Sequence, residues 1–573
     1  MFEFLRKNSD AHAITKGSSE PSVIFKTAVR IRSRASYNAT EGVPWIWVCA
    51  GALVTILLLI FAMFGIIITQ GISALWPHDV IQVKTETGNF VGVMTRLEEG
   101  TDSQTGARVS RRLVYQANRD LGVNEFAFVP VEQTINAEKP KELWFVERAE
   151  WGPFIGTILK ANETPASELT HEEIEQSIDA ASRRMSSIKS IEKKQLADLN
   201  AQLEDLRLER KSVELRLEQG LIDSANAQKI SADIDAKLQT LLAEHGKISE
   251  QVQKMRAEDD NYKLTLLAPN GQTKTLPASQ ILRAYKPNDS SFVRKIFIFM
   301  TKLWSFVSEE PREANTEGGV FPALFGTVAM TLIMTVAVLP VGVMTAVYMR
   351  EIAKQGLLVS FVRIAVNNLA GVPSIVYGVF GVGFFCYTLG ASIDQLFFQE
   401  KLPNPTFGTG GILWASLTLA LLTVPVVIVS TEEALSAVPR SLREASYGCG
   451  ATRMQTLWNI VLPKALPGVM TGLILAMARA VGEVAPLLMT GVVKLAPALP
   501  VDGHFPFIHL DRSFMHLGFH IYDLGFQSRS TELSRPMVFA STSLLVGVVL
   551  FLNFVAIKIR SQLRKRFEGR GAF

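Results

Sequence analysis

Two charged residues, Arg479 and Glu483, interrupt a long apolar stretch at 466–492. In hydrocarbon each charge costs about 2.5–3.5 kcal/mol on insertion scales, so a residue so placed is by default a functional-site candidate. Their four-residue spacing puts both on one helical face, where they can neutralise one another. An arginine fork offers paired donors that match an oxyanion, and the glutamate could hold that fork between binding events. A structural ion pair facing other helices is the plainer alternative. A second acid, Glu444, lies in a polar segment before this stretch, where a short helix could present it to basic or amide groups of another protein. His504, His509, His516 and His520 form a third cluster, with Asp502, Asp511 and Asp523 nearby. The spacing of His516 and His520 could seat a metal on a helix, but loop histidines are more often surface or packing residues, and no metal is expected. Residues 271–275, Gly-Gln-Thr-Lys-Thr, have the wrong spacing for a phosphate loop, and no G-x-x-x-x-G-K-[ST] occurs, so no catalytic residue is assigned.

The elements that hold these residues are apolar and long. Residues 43–77 carry no Lys, Arg, Asp or Glu and suffice to cross a hydrocarbon core of roughly 30 Å. Further spans are expected at about 321–349, 365–391, 411–430, 466–492 and 537–557, and of these only 466–492 holds charges. Arg479 lies 13 residues into that stretch, a rise of about 20 Å that puts it near the membrane middle.

The formal charge of +4 conceals basic clusters beside the spans. Lys26, Arg30, Arg32 and Arg34 precede the first span, Arg350 and Lys354 follow the second, and Lys558, Arg560, Arg564, Lys565 and Arg566 follow the sixth. The positive-inside rule assigns all three clusters to the cytoplasm, and an even span count agrees; nucleic-acid binding is a poor account of them. Residues 1–42 lack a short apolar core with a cleavage site, so the first span is expected to remain as an anchor. None of the three cysteines falls in the large segment at 78–317, which is therefore not disulfide-stapled.

That segment is expected to be an extracytoplasmic domain. Strand-like runs at 79–84, 125–131 and 142–146 recur at 262–268, as if a small β-rich module were interrupted and resumed. The interruption, about 168–257, is helical. Ile174, Ile178, Ala181, Met185 and Ile188, then Leu199, Leu203 and Leu206, follow the alternating three-and-four step of a coiled-coil seam. A second run passes through Ile230, Ile234, Leu238 and Leu241, with Gly220 and Asp223 between the two, which predicts an antiparallel coiled-coil hairpin. Residues 291–307 are apolar but interrupted by Arg294, Lys295 and Lys302, and an interfacial helix fits them.

The polar segment at 431–463 reads Glu444-Ala445-Ser446, three residues, Gly450, nine residues, Ile460, one residue, Leu462-Pro463. It resembles the EAA loop of ABC importer permeases, with Ser446 where a second alanine is usual. The resemblance implies that Glu444, Ala445, Gly450, Ile460, Leu462 and Pro463 couple this chain to a separate nucleotide-binding subunit. Over 315–573 it narrows. Arg479-Ala480-Val481-Gly482-Glu483 with Ala485-Pro486-Leu487-Leu488, the run from Leu369 to Gly378, and Gly318-Gly319-Val320-Phe321-Pro322 resemble PstA-type phosphate importer permeases.

The implied fold is an all-α polytopic membrane protein with six transmembrane helices, a type I ABC importer domain, and the β-rich module with its coiled-coil hairpin is an addition that departs from the compact family pattern. The implied organisation is a cytoplasmic segment 1–42, a first helix 43–77, a periplasmic domain 78–317 and a core permease 318–573. The implied substrate is inorganic phosphate, with Arg479 and Glu483 on its pathway. The implied partners are a PstC-type permease, a PstB-type ATPase dimer that uses ATP and magnesium, and a periplasmic PstS-type binding protein; the chain itself needs no cofactor. The implied location is the bacterial cytoplasmic membrane, with both termini cytoplasmic. A permease for sulfate or molybdate, and a membrane adaptor or signalling protein acting through the coiled coil, are the competing readings.

Overall fold

A computed structural model describes residues 43–85, 88–101, 108–131, 136–161, 164–165, 171–503, 507–528 and 530–568. The basic segment 1–42 and His504 lie outside the described residues. The chain divides into two compact units, Met1–Ile67 and Ile68–Phe573. Among its described residues the first unit is a helix, the bulk of α1 (Val43–Leu75), with exposed apolar side chains such as Trp47, Leu59 and Phe61. Such a helix suits an apolar solvent.

In the second unit the chain first builds two antiparallel sheets. One has the order β4 (Phe126–Pro130), β3 (Arg108–Tyr115), β2 (Gly88–Thr101), β1 (Val80–Thr85), β5 (Asn136–Glu138). The other has the order β10 (Thr273–Pro277), β9 (Lys263–Leu267), β7 (Phe154–Ala161), β6 (Trp144–Arg148), β11 (Ile281–Tyr285), with β8 (Thr164–Pro165) on β7. β7 and β9 pair directly, Ile158 opposite Leu266, although a long helical excursion separates them in sequence.

The excursion comprises α2 (His171–Ile191), a π turn at Glu192–Leu196, α3 (Ala197–Glu218) and α4 (Ser224–Asp259). Its apolar stripe serves two partners. Ile174, Ile178 and Ala181 are buried against Phe154, Leu264 and Leu266 of the second sheet, whereas Val213 packs with Ala227 and Ile234 of α4. Ion pairs accompany these contacts, Arg256 to Glu192 at 2.7 Å and Arg184 to the buried Asp259 at 3.1 Å. The single seam expected from spacing is thus split, because a heptad register specifies which residues are buried but not by what.

α5 (Phe292–Ser308) lies on the module through a half-buried charge cluster. Lys302 Nζ donates to Glu147 at 2.7 Å and to the Tyr285 hydroxyl at 2.8 Å, and Arg283 donates to the other Glu147 oxygen at 3.1 Å. Burial raises the Glu147 carboxyl, but Lys302 and then Arg283 outweigh it and hold it below the usual glutamate range. The opposite face of α5 exposes Phe292, Phe297 and Trp304. Lys302→Met is expected to lower stability by about 2–3 kcal/mol, less than for a fully buried pair because the two side chains are 15% and 20% exposed. Thermal unfolding checks this, and the double variant with Glu147→Gln should cost less than the sum of the singles.

Among the described residues six helices are long and apolar enough to cross a membrane: Trp45–Leu75, Phe321–Ile352, Ser374–Phe397, Ile412–Ser436, Arg453–Gly482 and Thr531–Arg566. α6 (Phe321–Val347) opens the second. The third starts later than hydropathy suggests, because 365–369 belong to a separate short helix, α7 (Leu357–Leu369), and the third begins with α8 (Ser374–Phe380). Pro373 sits between them and disfavours helical backbone at Val372, which breaks the apolar run. The fourth is α9 (Ile412–Ser436) and the sixth is the span within α12 (Thr531–Glu568). The fifth is displaced toward the N-terminus and ends at Gly482, and its last part is α11 (Leu462–Gly482).

Candidate functional site

The polar segment after α9 folds into a short helix, α10 (Arg440–Gly448), and a second helix that runs from Arg453 without interruption into the fifth span. Gly450 separates them at φ +83°. Its N–H donates to Tyr447 O at 2.9 Å and the Ala451 N–H donates to Ser446 O at 3.1 Å, the paired closure of a helix that ends on a left-handed residue. Thr452 and Gln455 cap the following helix reciprocally. Ser446, the departure from the resembled motif, is buried and its hydroxyl shares a 2.9 Å hydrogen bond with Thr456 across the turn.

Ion pairs fix this element to the helices below. Arg443 pairs with Glu351 at 3.0 Å and donates to Leu435 O at 2.8 Å, while Arg363 pairs with Glu432 at 3.1 Å. Leu435, Val438, Leu457, Val461 and Ala465 form a small core beneath it. Glu444, Ala445 and Gly450 are exposed, and Tyr447, Met454 and Trp458 add exposed apolar surface. Ile460, Leu462 and Pro463 are half-buried. The sequence-expected residues therefore divide into an exposed set and a supporting set. The salt bridges went unseen in the sequence, since Glu351 and Arg363 are separated from their partners by whole spans.

Arg479 and Glu483 do pair, Nε to Oε1 at 3.5 Å, with side chains 36% and 22% exposed. Their setting differs from the expectation. α11 ends at Gly482 and Glu483 is extended (φ −82°, ψ 133°), so Arg479 occupies the last helical turn rather than the middle of a span. Pro486 accounts for the early stop, because a proline disfavours helical backbone at Ala485 and cannot donate to the helix ladder. The same proline meets α8: a Cβ on Gly378 would stand 2.8 Å from Pro486 Cα. Tyr377, Met477, Ala480 and Leu487 share one buried core, with Val372 and Val484 packed on it. Two of the resembled segments, Leu369 to Gly378 and Arg479 to Leu488, are thereby brought together. The third, Gly318 to Pro322, starts α6, where Val320 joins a separate core with Met515 and Leu517.

Of the four histidines in this loop, His509, His516 and His520 are among the described residues. His509 bonds Asp502 at 2.9 Å, and Arg512 reaches the same carboxylate at 2.6 Å. His516 accepts from the Gly518 N–H at 3.1 Å and caps a short helix. His516 and His520 are buried, and burial pushes them down to about 3 and about 4, which keeps both rings neutral. Among the described residues no group of His, Cys, Asp or Glu is arranged to hold a metal.

A set of long apolar helices joined by an exposed helical turn, with an ion pair beside one helix end, is the arrangement of a membrane protein. The family of binding-protein-dependent transport system inner membrane components matches residues 338–566, which include every residue of the turn and the pair. A phosphate transport system permease protein PstA 1 of Mycobacterium tuberculosis is 34% identical over 258 residues, covering 44% of this chain and 73% of the relative. PstA of Yersinia pestis is 35% identical over 187 residues, 33% of this chain and 57% of the relative. PstC of Xylella fastidiosa is 27% identical over 268 residues, 45% and 77%. Among solved structures the MetNI methionine ABC transporter covers 42% of this chain and 94% of its own, with 21% identity and a TM-score of 0.32. The chain belongs to the PstA family of phosphate transport system permeases, and is a transporter subunit, not an enzyme.

Proposed function

We propose that this chain is the permease subunit of an ATP-driven phosphate importer, that Arg479 and Glu483 lie on the substrate pathway, and that the turn centred on Gly450 docks a separate ATPase. The carrying observation is the joining of the two sites by one helix: the exposed turn leads through Arg453–Gly482 directly to the Arg479–Glu483 pair. A rigid connection of that kind can carry a displacement at the turn to the pair. The arginine fork is half-exposed and weakly held at 3.5 Å, which leaves donors for an oxyanion. The names of the relatives support phosphate over sulfate or molybdate.

The assembly follows from this reading: a PstC-type second permease, a PstB-type ATPase dimer using ATP and magnesium, and a PstS-type binding protein. Both termini are cytoplasmic and the module at 78–317 is periplasmic, as basic residues beside the spans support. Helices α3 and α4 form a coiled-coil arm on that module, rooted by α2 on its second sheet, and α5 lies at the membrane interface with Phe297 and Trp304 toward lipid. Labelled phosphate uptake with sulfate as competitor is the test. Uptake should resist excess sulfate, and equal competition by sulfate would overturn the substrate.

A further inference from the structure

A cavity of about 430 Å³ lies within the second unit, where the last turns of α1, strands β2 and β3, residues Thr316 and Glu317, and the first turns of α12 meet. The volume falls in the range of sites for small ligands. It stands at the ends of two apolar helices, α1 ending at Leu75 and the span of α12 starting at Thr531, so its walls change from polar to apolar along their length. Ala74 and Phe539 supply the apolar end from the two helices, and Phe126 supplies it from the module.

The charged groups are unequally committed. Arg96 is held by Glu532 at 2.7 Å and also by Glu98, so its charge is spent within the wall. Arg535, exposed in the first turns of α12, makes no ion pair or hydrogen bond among the described residues. Glu317 is likewise without an ion pair there, and burial, opposed by Arg312, pushes its carboxyl up to about 7. A free guanidinium and an uncommitted carboxyl thus line one cavity with an apolar floor. A planar guanidinium matches phosphate oxygens, and a carboxylate complements an ammonium.

We propose that this cavity binds the headgroup of a phospholipid bearing both a phosphate and a primary amine, the phosphate on Arg535 and the amine on Glu317, with the acyl chains running down beside Phe539 and Ala74. Phosphate chemistry alone would also suit free inorganic phosphate, but the apolar walls favour the lipid. Neither Arg479 nor Glu483 lines the cavity, and its occupant is distinct from the transported substrate.

Native mass spectrometry of the purified full chain tests this, after exchange into an equimolar mixture of phosphatidylethanolamine, phosphatidylglycerol and phosphatidylcholine. Phosphatidylethanolamine should be retained preferentially, and Arg535→Ala should reduce its retention about tenfold or more. Glu317→Gln should erase the preference over phosphatidylcholine, and Met94→Trp, which narrows the cavity from its wall and leaves both charges, should lower the retention of all three lipids. Lys229→Ala on the arm is the control and should behave as wild type. Equal retention by wild type, Arg535→Ala and Met94→Trp would overturn the site. Displacement of the lipid by millimolar inorganic phosphate would overturn the lipid assignment in favour of the free anion. Thermal unfolding of each variant separates lost binding from lost fold.

Discussion

Arg479→Ala is expected to cut phosphate uptake by intact cells about a hundredfold, the loss of charge-assisted hydrogen bonds worth roughly 1.5–3 kcal/mol in a partly desolvated site. Arg479→Lys should recover only a small part, because a point charge cannot reproduce the fork. The pair geometry separates this from a structural role. A structural ion pair loses function because Glu483 is left unpaired, so the double variant Arg479→Ala, Glu483→Ala would regain uptake. On the pathway reading the double variant stays inactive while the protein remains in the membrane at wild-type amounts. Recovery in the double variant would end the assignment of Arg479 to the pathway.

Substitution at the turn should leave the pathway intact and sever its drive. Gly450 is held at φ +83° with open space around its α-carbon, so a side chain there is opposed by backbone conformation and not by a clash. Gly450→Val should therefore distort the turn and abolish transport-coupled ATP hydrolysis, whereas Gly450→Asn, whose side chain tolerates the left-handed region, should keep most of it. Glu444 is exposed and makes no ion pair among the described residues, so its replacement should spare the fold. Glu444→Ala is expected to weaken ATPase association about tenfold or more, measured by co-purification and by phosphate-stimulated hydrolysis. Full coupling in both Gly450→Val and Glu444→Ala would remove the docking reading.

Much of this is legible in the amino-acid sequence alone. Long, mostly uncharged runs mark spans because hydrocarbon excludes charge locally, residue by residue, and six long apolar helices occur among the described residues. The turn at Gly450 was legible for a similar reason: its closure depends on a glycine and on hydrogen bonds between residues three and five apart. The β-rich module was visible as an interrupted pattern, and β7 pairing with β9 explains the interruption.

Other features had no local signature. Hydropathy extended the fifth span to 492, yet the helix stops at Gly482, because Pro486 breaks a ladder that hydropathy does not measure. The apolar stripe of α2 and α3 looked like one seam, but Ile174 and Ile178 pack on a sheet while Val213 packs on α4. The pairs Arg443–Glu351 and Arg363–Glu432, the contact of Gly378 with Pro486, and the cavity between Arg535 and Glu317 join residues far apart in sequence. The amino-acid sequence by itself determined the membrane class, the set of long apolar helices among the described residues and the exposed turn, since each follows from the solvent preference or backbone freedom of neighbouring residues. Only the tertiary structure decided which charges are spent on one another and which remain free, because that depends on distances across the fold.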